Sequence, residues 1–331
     1  MAFQDIQRAG EAASRVGSVS SGRMFVSRSD EAASLRYGPR EAVAPVEMSV
    51  IVPFKDAAPD IRQQLEALAA QEVSAPWEVI AVDDGSRDAS RQIVERFRDR
   101  LNLRVIETQE ATGQAHAYNV GARQASGRKL IFVDADDEVA PGYITAMAAG
   151  LDRYDFITSA FDHRALNPDW VQGAHGPAWR DPDNPIPTMF GHLPFTGGSI
   201  GISREIFEAV GGFPEDFRYA LDIAFSWGVQ RTGTELHFIP DAVYRVRYRS
   251  SLRGLYRQAL SWGAELPLLY RRYRTEGMQR RPLAHTIKIC IRLALQLPRA
   301  RTRADLAPLI VQAGLLLGRM KGSLRHRVLF L

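Results

Sequence analysis

Cysteine is nearly absent: Cys290 stands alone among 331 residues, which excludes an intrachain disulfide and fits a reducing compartment such as the cytosol. No run approaches the roughly 18 uninterrupted apolar residues of a spanning helix. The N-terminus lacks the apolar stretch of a secretion signal. No G-x-G-x-x-G follows the first apolar segment, which argues against a Rossmann dinucleotide site. His163, His175 and His192 have neither metal-ligand spacing nor a second cysteine, so zinc is not expected. Acids are scarce in the last quarter: residues 245–331 hold 19 Lys and Arg against 3 Asp and Glu, whereas residues 1–244 hold 23 against 35. An acidic front and a basic tail predict two different jobs.

Residues 1–46 are rich in Ala, Ser, Gly and Arg with little apolar periodicity, and read as a mobile arm with a short helix near residues 6–13. From Met48 onward, short apolar runs alternate with segments of helical spacing. Met48–Phe54 reads as a buried strand. Ile61, Leu65 and Leu68 mark a helix, Trp77–Val82 a second strand, Ile93, Val94 and Phe97 a helix, and Leu103–Ile106 a third strand. A helix between Gly113 and Gly127 leads into Leu130–Val133. This alternation predicts an α/β domain over residues 47–245 with a mostly parallel central sheet flanked by helices.

Two of those strands end in acids. Asp83-Asp84 closes one, and Asp134, Asp136, Asp137 and Glu138 follow the other without a gap. An isolated D-x-D is usually a solvated turn, and Ser86 or Asp88 can cap the helix after Asp84. In a parallel sheet, however, both acidic ends fall on the carboxyl edge, where open α/β sheets bind ligands. So many like charges repel unless they share a cation. Hard oxygen donors at this spacing suit Mg2+ or Mn2+ bridging carboxylate and phosphate.

The order Ser49–Pro53, Glu78–Ser86, Asn119-x-Gly121-x-x-x-Ala125-x-Gly127, Phe132–Asp137, Phe195–Gly198, Val210–Phe213 and Asp222 closely resembles family 2 glycosyltransferases over about residues 48–260. The resemblance implies a GT-A-like fold and an inverting transfer from a nucleotide-sugar donor, expected to be a UDP-sugar. It places Pro53 and Asp84 at the nucleotide base and Asp134 near the ribose; Lys55, which departs from the family pattern, carries a charge that suits a phosphate. Asp136 becomes the metal ligand, with Asp137 helping through a water. Gly197, Gly198 and Ser199 would border sugar and acceptor, where glycine permits close approach. Asp222 would be the general base that takes the acceptor's proton.

The sequence also departs from the family pattern. Lys55 stands where Tyr is usual, Asp56 and Tyr118 where Asn and Arg are usual, and Leu221 where Glu precedes the base. A His that often joins the metal site is missing near Pro240–Arg247, with Val246 in its place by gapless matching. These departures keep open a degenerate nucleotide-sugar-binding homologue. A nucleotidyltransferase also places acids and a metal at a sheet edge, but normally needs a Gly-rich basic loop that Lys55–Ala58 does not supply. Trp170 and Trp179 suit either sugar stacking or a core.

Residues 246–331 read as a basic helical tail, with Leu252, Leu255, Tyr256, Ala259, Trp262 and Leu266 on one face and Leu306, Leu309, Ile310, Ala313 and Leu317 on another. Basic amphipathic helices too short or too polar to span predict attachment to an anionic membrane surface. Helices packing on the acidic domain would account for part of the charge. No nucleic-acid reading motif accompanies it. The expected place of work is the cytoplasmic face of the membrane, on a glycan or lipid-linked acceptor.

Overall fold

The computed structural model describes residues 46–108, 112–174, 186 and 188–331. The expected arm, apart from its last residue, lies outside the described residues, as do His175 and Trp179. The described elements run β1 (Met48–Phe54), α1 (Ile61–Ala69), β2 (Trp77–Asp83), α2 (Ser90–Glu95), β3 (Leu103–Glu107), α3 (Gln114–Gln124) and β4 (Lys129–Phe132). They continue with β5 (Glu138–Val139), α4 (Tyr143–Leu151), β6 (Phe156–Asp162), α5 (Asp169–Gln172), β7 (Ile200–Ser203), α6 (Arg204–Ala209), α7 (Leu221–Gln230) and β8 (His237–Arg245). Three longer helices close the chain: α8 (Leu252–Tyr273), α9 (Leu283–Gln296) and α10 (Arg303–His326).

The strands form one sheet in the order β3-β2-β1-β4-β7-β6-β8-β5. Its first half is parallel, with β1 pairing β2 and β4, and β2 pairing β3. Strand β7 runs antiparallel to β4 and β6, β8 is parallel to β6, and the short β5 is antiparallel to β8.

The continuous apolar runs arise because both sheet faces are covered. Met48, Val50, Val52 and Phe54 of β1 and Val79 and Ala81 of β2 enter one core, with Ile61, Leu65 and Leu68 of α1. Ile51, Ile80, Val82, Leu130 and Phe132 enter the other, against α3 and α7. Successive side chains of a strand point to opposite faces, so a strand buried on both has no polar alternation.

Residues 246–331 are built into this framework. Leu269, Tyr273, Met278 and Phe330 belong to the core of the α3 and α7 face, and the Tyr273 hydroxyl donates to the Ala224 carbonyl at 3.0 Å. Helices α8 and α10 meet backbone to backbone. A Cβ on Gly318 would lie 2.3 Å from the Leu260 carbonyl oxygen, and one on Gly322 would lie 2.2 Å from that of Ala264. The side of α10 that meets α8 carries Gly314, Gly318 and Gly322, while of the expected face Leu309 is buried, Leu306, Ile310 and Ala313 are half-buried and Leu317 is exposed. Trp170 packs beside Tyr248, Leu252 and Leu315, a core role rather than a sugar platform. Among the described residues, no helix is long and apolar enough to cross a membrane.

Candidate active site

Strand β4 delivers Asp134 to the carboxyl edge, and the turn before β5 brings Asp136 and Asp137 back towards it. One oxygen from each of the three lies within 4.8 Å of the others. The cluster is held from beneath by hydroxyls and amides. Tyr118 of α3 donates its hydroxyl to Asp134 Oδ1 at 2.7 Å, and Gln114 donates to the same oxygen. The Asp134 amide donates to the Tyr244 hydroxyl at 2.8 Å, while Gln64 donates to its carbonyl at 3.0 Å. Tyr118, where the family usually carries Arg, is thus a neutral donor to the first acid.

Burial and mutual repulsion leave the cluster short of positive charge. Burial, then the neighbouring Asp136 carboxylate, pushes Asp134 up from 3.8 to about 7, against the Tyr118 hydrogen bond, and Asp222 adds to the rise. Asp137 moves upward for the same reasons, burial first and then Asp136 and Asp134. Burial, then the same carboxylates, raises Tyr244 as well. Carboxylates held so close favour a shared proton or a shared cation.

Space for that cation is left by glycine. A Cβ on Gly198 would lie 2.6 Å from Asp134 Oδ2 and 3.7 Å from Asp137 Oδ2, so any other residue would push into the carboxylates. Gly197 beside it takes a left-handed φ of 70°. Three hard oxygen donors facing this glycine backbone fit Mg2+ or Mn2+. The segment that lacks the expected His supplies guanidinium groups. Arg249 Nη2 lies 3.2 Å from Asp136 Oδ2, the Arg247 amide donates to Asp137 Oδ1 at 2.7 Å, and Arg247 Nε donates to the Asp136 carbonyl at 2.8 Å. Val246 donates its amide to the Asp162 carbonyl at 3.0 Å and accepts from Asn167 Nδ2 at 2.6 Å through its own carbonyl.

The neighbouring strand ends hold the other candidates. Pro53 is buried within β1 opposite Val82. Lys55 Nζ lies 3.8 Å from Asp84 Oδ2. The Asp84 carboxylate accepts from Thr108 Oγ1 at 3.1 Å and from the amides of Thr112 and Gly113 at 3.2 and 3.1 Å, so it ties the approach to α3 onto β2. Ser199 was expected beside the acceptor. It is instead fully buried, joined to Tyr143 at 2.6 Å and Ser159 at 2.7 Å, a hydroxyl network that fastens α4 and β6 to the β7 approach.

Asp222 lies in the first turn of α7, where the helix dipole favours a carboxylate, and its charge reaches Asp134. Two clamps fix the path to it. Asn119 Nδ2 donates to the Phe213 carbonyl at 2.9 Å and to Glu215 Oε1 at 2.9 Å, and Asn119 Oδ1 accepts from the Phe213 amide at 2.8 Å. Glu265 of α8 takes the amides of residues 218–220. Asp216 pairs with Arg272, and Leu221 is buried in the core. The Asn119 signal was visible in sequence as a motif position. Glu265, Arg247 and Arg249 were not, because their partners lie 45 to 184 residues away.

A mixed sheet of this order, with acids at its carboxyl edge and an Asp-bearing helix beside them, is the GT-A glycosyltransferase architecture. Among solved structures it is similar to the mannosyltransferase PcManGT from Pyrobaculum calidifontis, determined with GDP-Man and Mn2+. The TM-score is 0.59 at 22% identity, with 85% of this chain and 89% of that chain covered. The O-antigen biosynthesis protein RfbC of Myxococcus xanthus is 30% identical over 190 residues, 52% of this chain and 15% of that protein. The poly(ribitol-phosphate) beta-N-acetylglucosaminyltransferase TarS of Staphylococcus aureus is 26% identical over 203 residues, 60% of this chain and 35% of that protein. This chain therefore matches only a minor part of the length of either relative. Residues 49–211 match the model of glycosyl transferase family 2, and that segment of the chain belongs to the family.

Proposed function

We propose that the chain transfers a sugar from a UDP-sugar to a hydroxyl of a glycan or lipid-linked acceptor, with inversion at the anomeric carbon. The observation that carries this reading is the convergence of two clamps, Asn119 and Glu265, on the segment that brings Asp222 within electrostatic reach of Asp134. The UDP preference is supported by TarS, which has been solved with UDP-GlcNAc; its fold matches with TM-score 0.50 at 20% identity.

Pro53 and Asp84 border the base, Asp134 the ribose, and Lys55 a phosphate. Asp136 and Asp137, with Asp134, would hold a divalent ion, which when bound would neutralise charge on the departing diphosphate. Gly197 and Gly198 leave room for the sugar. The acceptor oxygen attacks the anomeric carbon, the bond to the diphosphate oxygen breaks, and the acceptor proton passes to Asp222. Attack opposite the leaving group inverts the centre. The basic tail supports a reading in which this work is done at the inner face of the cell membrane, against anionic lipid.

A thermal-shift comparison of UDP-, GDP- and dTDP-sugars with and without Mn2+ tests the donor reading, because a ligand that binds only the native state raises its midpoint. UDP-sugars with Mn2+ should give the largest shift. No shift with any nucleotide sugar would overturn the reading.

A further inference from the structure

The positive charge of the last quarter meets an exposed apolar stripe that runs the length of one helix, α9. Leu283, Ile287, Ile291 and Leu295 of α9 recur every fourth residue, forming one stripe along the helix, and are 62%, 51%, 53% and 55% exposed. Ile289 and Leu293 are half-buried on the opposite side, and Thr286 is the buried residue of the helix. On α10, Leu317, Met320 and Leu324 near its C-terminal end are exposed as well, while the faces that α8 and α10 turn to each other are occupied. An apolar stripe of this kind left uncovered marks an interaction surface.

Charge selects the partner. Residues 277–304 contain seven Arg and Lys and no Asp or Glu. By helical spacing Lys288 and Arg292 lie beside the stripe, and the remaining cations flank both ends of the helix. Two copies meeting through this face would oppose cation to cation, an unfavourable juxtaposition. An anionic lipid surface answers both features, since the stripe can enter the headgroup boundary while the cations stay at phosphate level. Fourteen residues rise only about 21 Å, short of the roughly 30 Å hydrocarbon layer, so the helix would lie along the surface.

We propose that α9 is the membrane-docking element of this chain, with Leu283, Ile287, Ile291 and Leu295 inserted and Lys288 and Arg292 on lipid phosphates. This rests on the surface attachment under Proposed function, and narrows it from the whole tail to one helix.

The test is co-sedimentation of the full chain with vesicles of phosphatidylcholine alone, or of equal parts phosphatidylcholine and phosphatidylglycerol. Binding should need phosphatidylglycerol and should weaken at about 1 M salt, where the screening length is about 3 Å. Ile287→Gln with Ile291→Gln should lower partitioning about tenfold or more, because the lost methylenes carry the insertion. Lys288→Gln with Arg292→Gln should lower it on anionic vesicles and reduce its salt sensitivity. Both variants change exposed residues, and unchanged melting temperature and UDP-sugar shift would show an intact domain. Failure of the donor reading would appear as loss of that shift in wild type, independent of lipid. Wild-type binding that neither variant weakens, or no binding at all, overturns the proposal. So does a lipid-free oligomer that the Ile variant dissociates, which would make the stripe a contact between copies.

Discussion

The Glu265 carboxylate accepts the Ala220 amide at 2.9 Å, and the same side chain takes the amides of Tyr219 at 2.8 Å and Arg218 at 2.9 Å. Three successive donors are thus satisfied by a residue of α8, just before α7 begins at Leu221. The N-cap residue Ala220 has no side-chain acceptor for the first turn of α7, and Glu265, 45 residues further along the sequence, holds the backbone that leads into it. Helix α8 of the basic region therefore helps set where α7, the helix that carries Asp222, begins.

Glu265→Gln should reduce kcat while leaving donor affinity near wild type. The amide keeps one acceptor oxygen but turns a donor towards backbone donors, so the loop over residues 218–220 shifts. Misplacement on the order of 1 Å can cost about a hundredfold in rate, and loss of hydrogen bonds to a charged group about 2 kcal/mol in stability. Steady-state kinetics beside nucleotide calorimetry decide it. Unchanged kcat would mean the clamp is not needed to position Asp222.

Asp136→Ala and Arg249→Gln should act in opposite directions on metal. The first removes a ligand, and the metal-dependent part of nucleotide affinity should vanish with the fold intact. The second removes the guanidinium that lies 3.2 Å from Asp136 and competes with a divalent ion for it. Mn2+ should then bind more tightly without nucleotide, by about two- to tenfold for an exposed pair of this kind. Calorimetric titration of Mn2+ into each variant is the measurement. Equal metal affinity in Asp136→Ala and wild type would remove Asp136 from the ligand set.

The parallel half of the fold was legible because β1, β2 and β4 are apolar on both faces, and the acids at their ends mark one edge. The antiparallel half was less so. Strand β7 has only four residues, Ile200–Ser203, and its place between β4 and β6 depends on pairings across 43 or more residues of sequence, such as Phe156 with Ile202 on one side and Lys129 with Ser203 on the other. Gly314, Gly318 and Gly322 recur every fourth residue, yet leucines beside them suggested a different face. What decides is the backbone contact with α8, which only the folded pair reveals. At the site, the carboxylates were readable and their countercharges were not. Arg247 and Arg249 come from the strand end opposite the acids, a neighbour relation created by folding.

Asp134 makes metal-free stability depend on pH. Its folded value is about 7 against an ordinary 3.8. Between those values the native protein keeps a proton that the unfolded chain has released, so stability falls as pH rises through the interval and stays reduced above it. Asp137 acts in the same direction. Asp134→Asn, uncharged and of the same shape, should therefore melt higher than wild type near pH 8 without metal, with the gap closing below about pH 4. Mn2+ should stabilise wild type more at the higher pH. A metal-free Asn variant that melts below wild type near pH 8 would count against repulsion as the dominant feature of the cluster.

Asp222→Asn separates base from cap. Asp222 is half-buried in the first turn of α7, where an acid can serve as a dipole partner and nothing more. Asn keeps its shape and can still accept an amide hydrogen bond, so a purely structural role should survive the change. Proton removal should not. If the carboxylate takes the acceptor proton as the bond to the anomeric carbon forms, it matters in the transition state and little in donor binding. Transfer should then fall by about 10²–10⁴-fold with donor Kd near wild type and the melting temperature little moved. Asp216, another carboxylate on this approach, is paired with Arg272, and Asp216→Asn should leave transfer within a few-fold. The pair of variants measured side by side fixes the assignment: a large loss in the Asp216 variant and a small one in the Asp222 variant would exchange their roles.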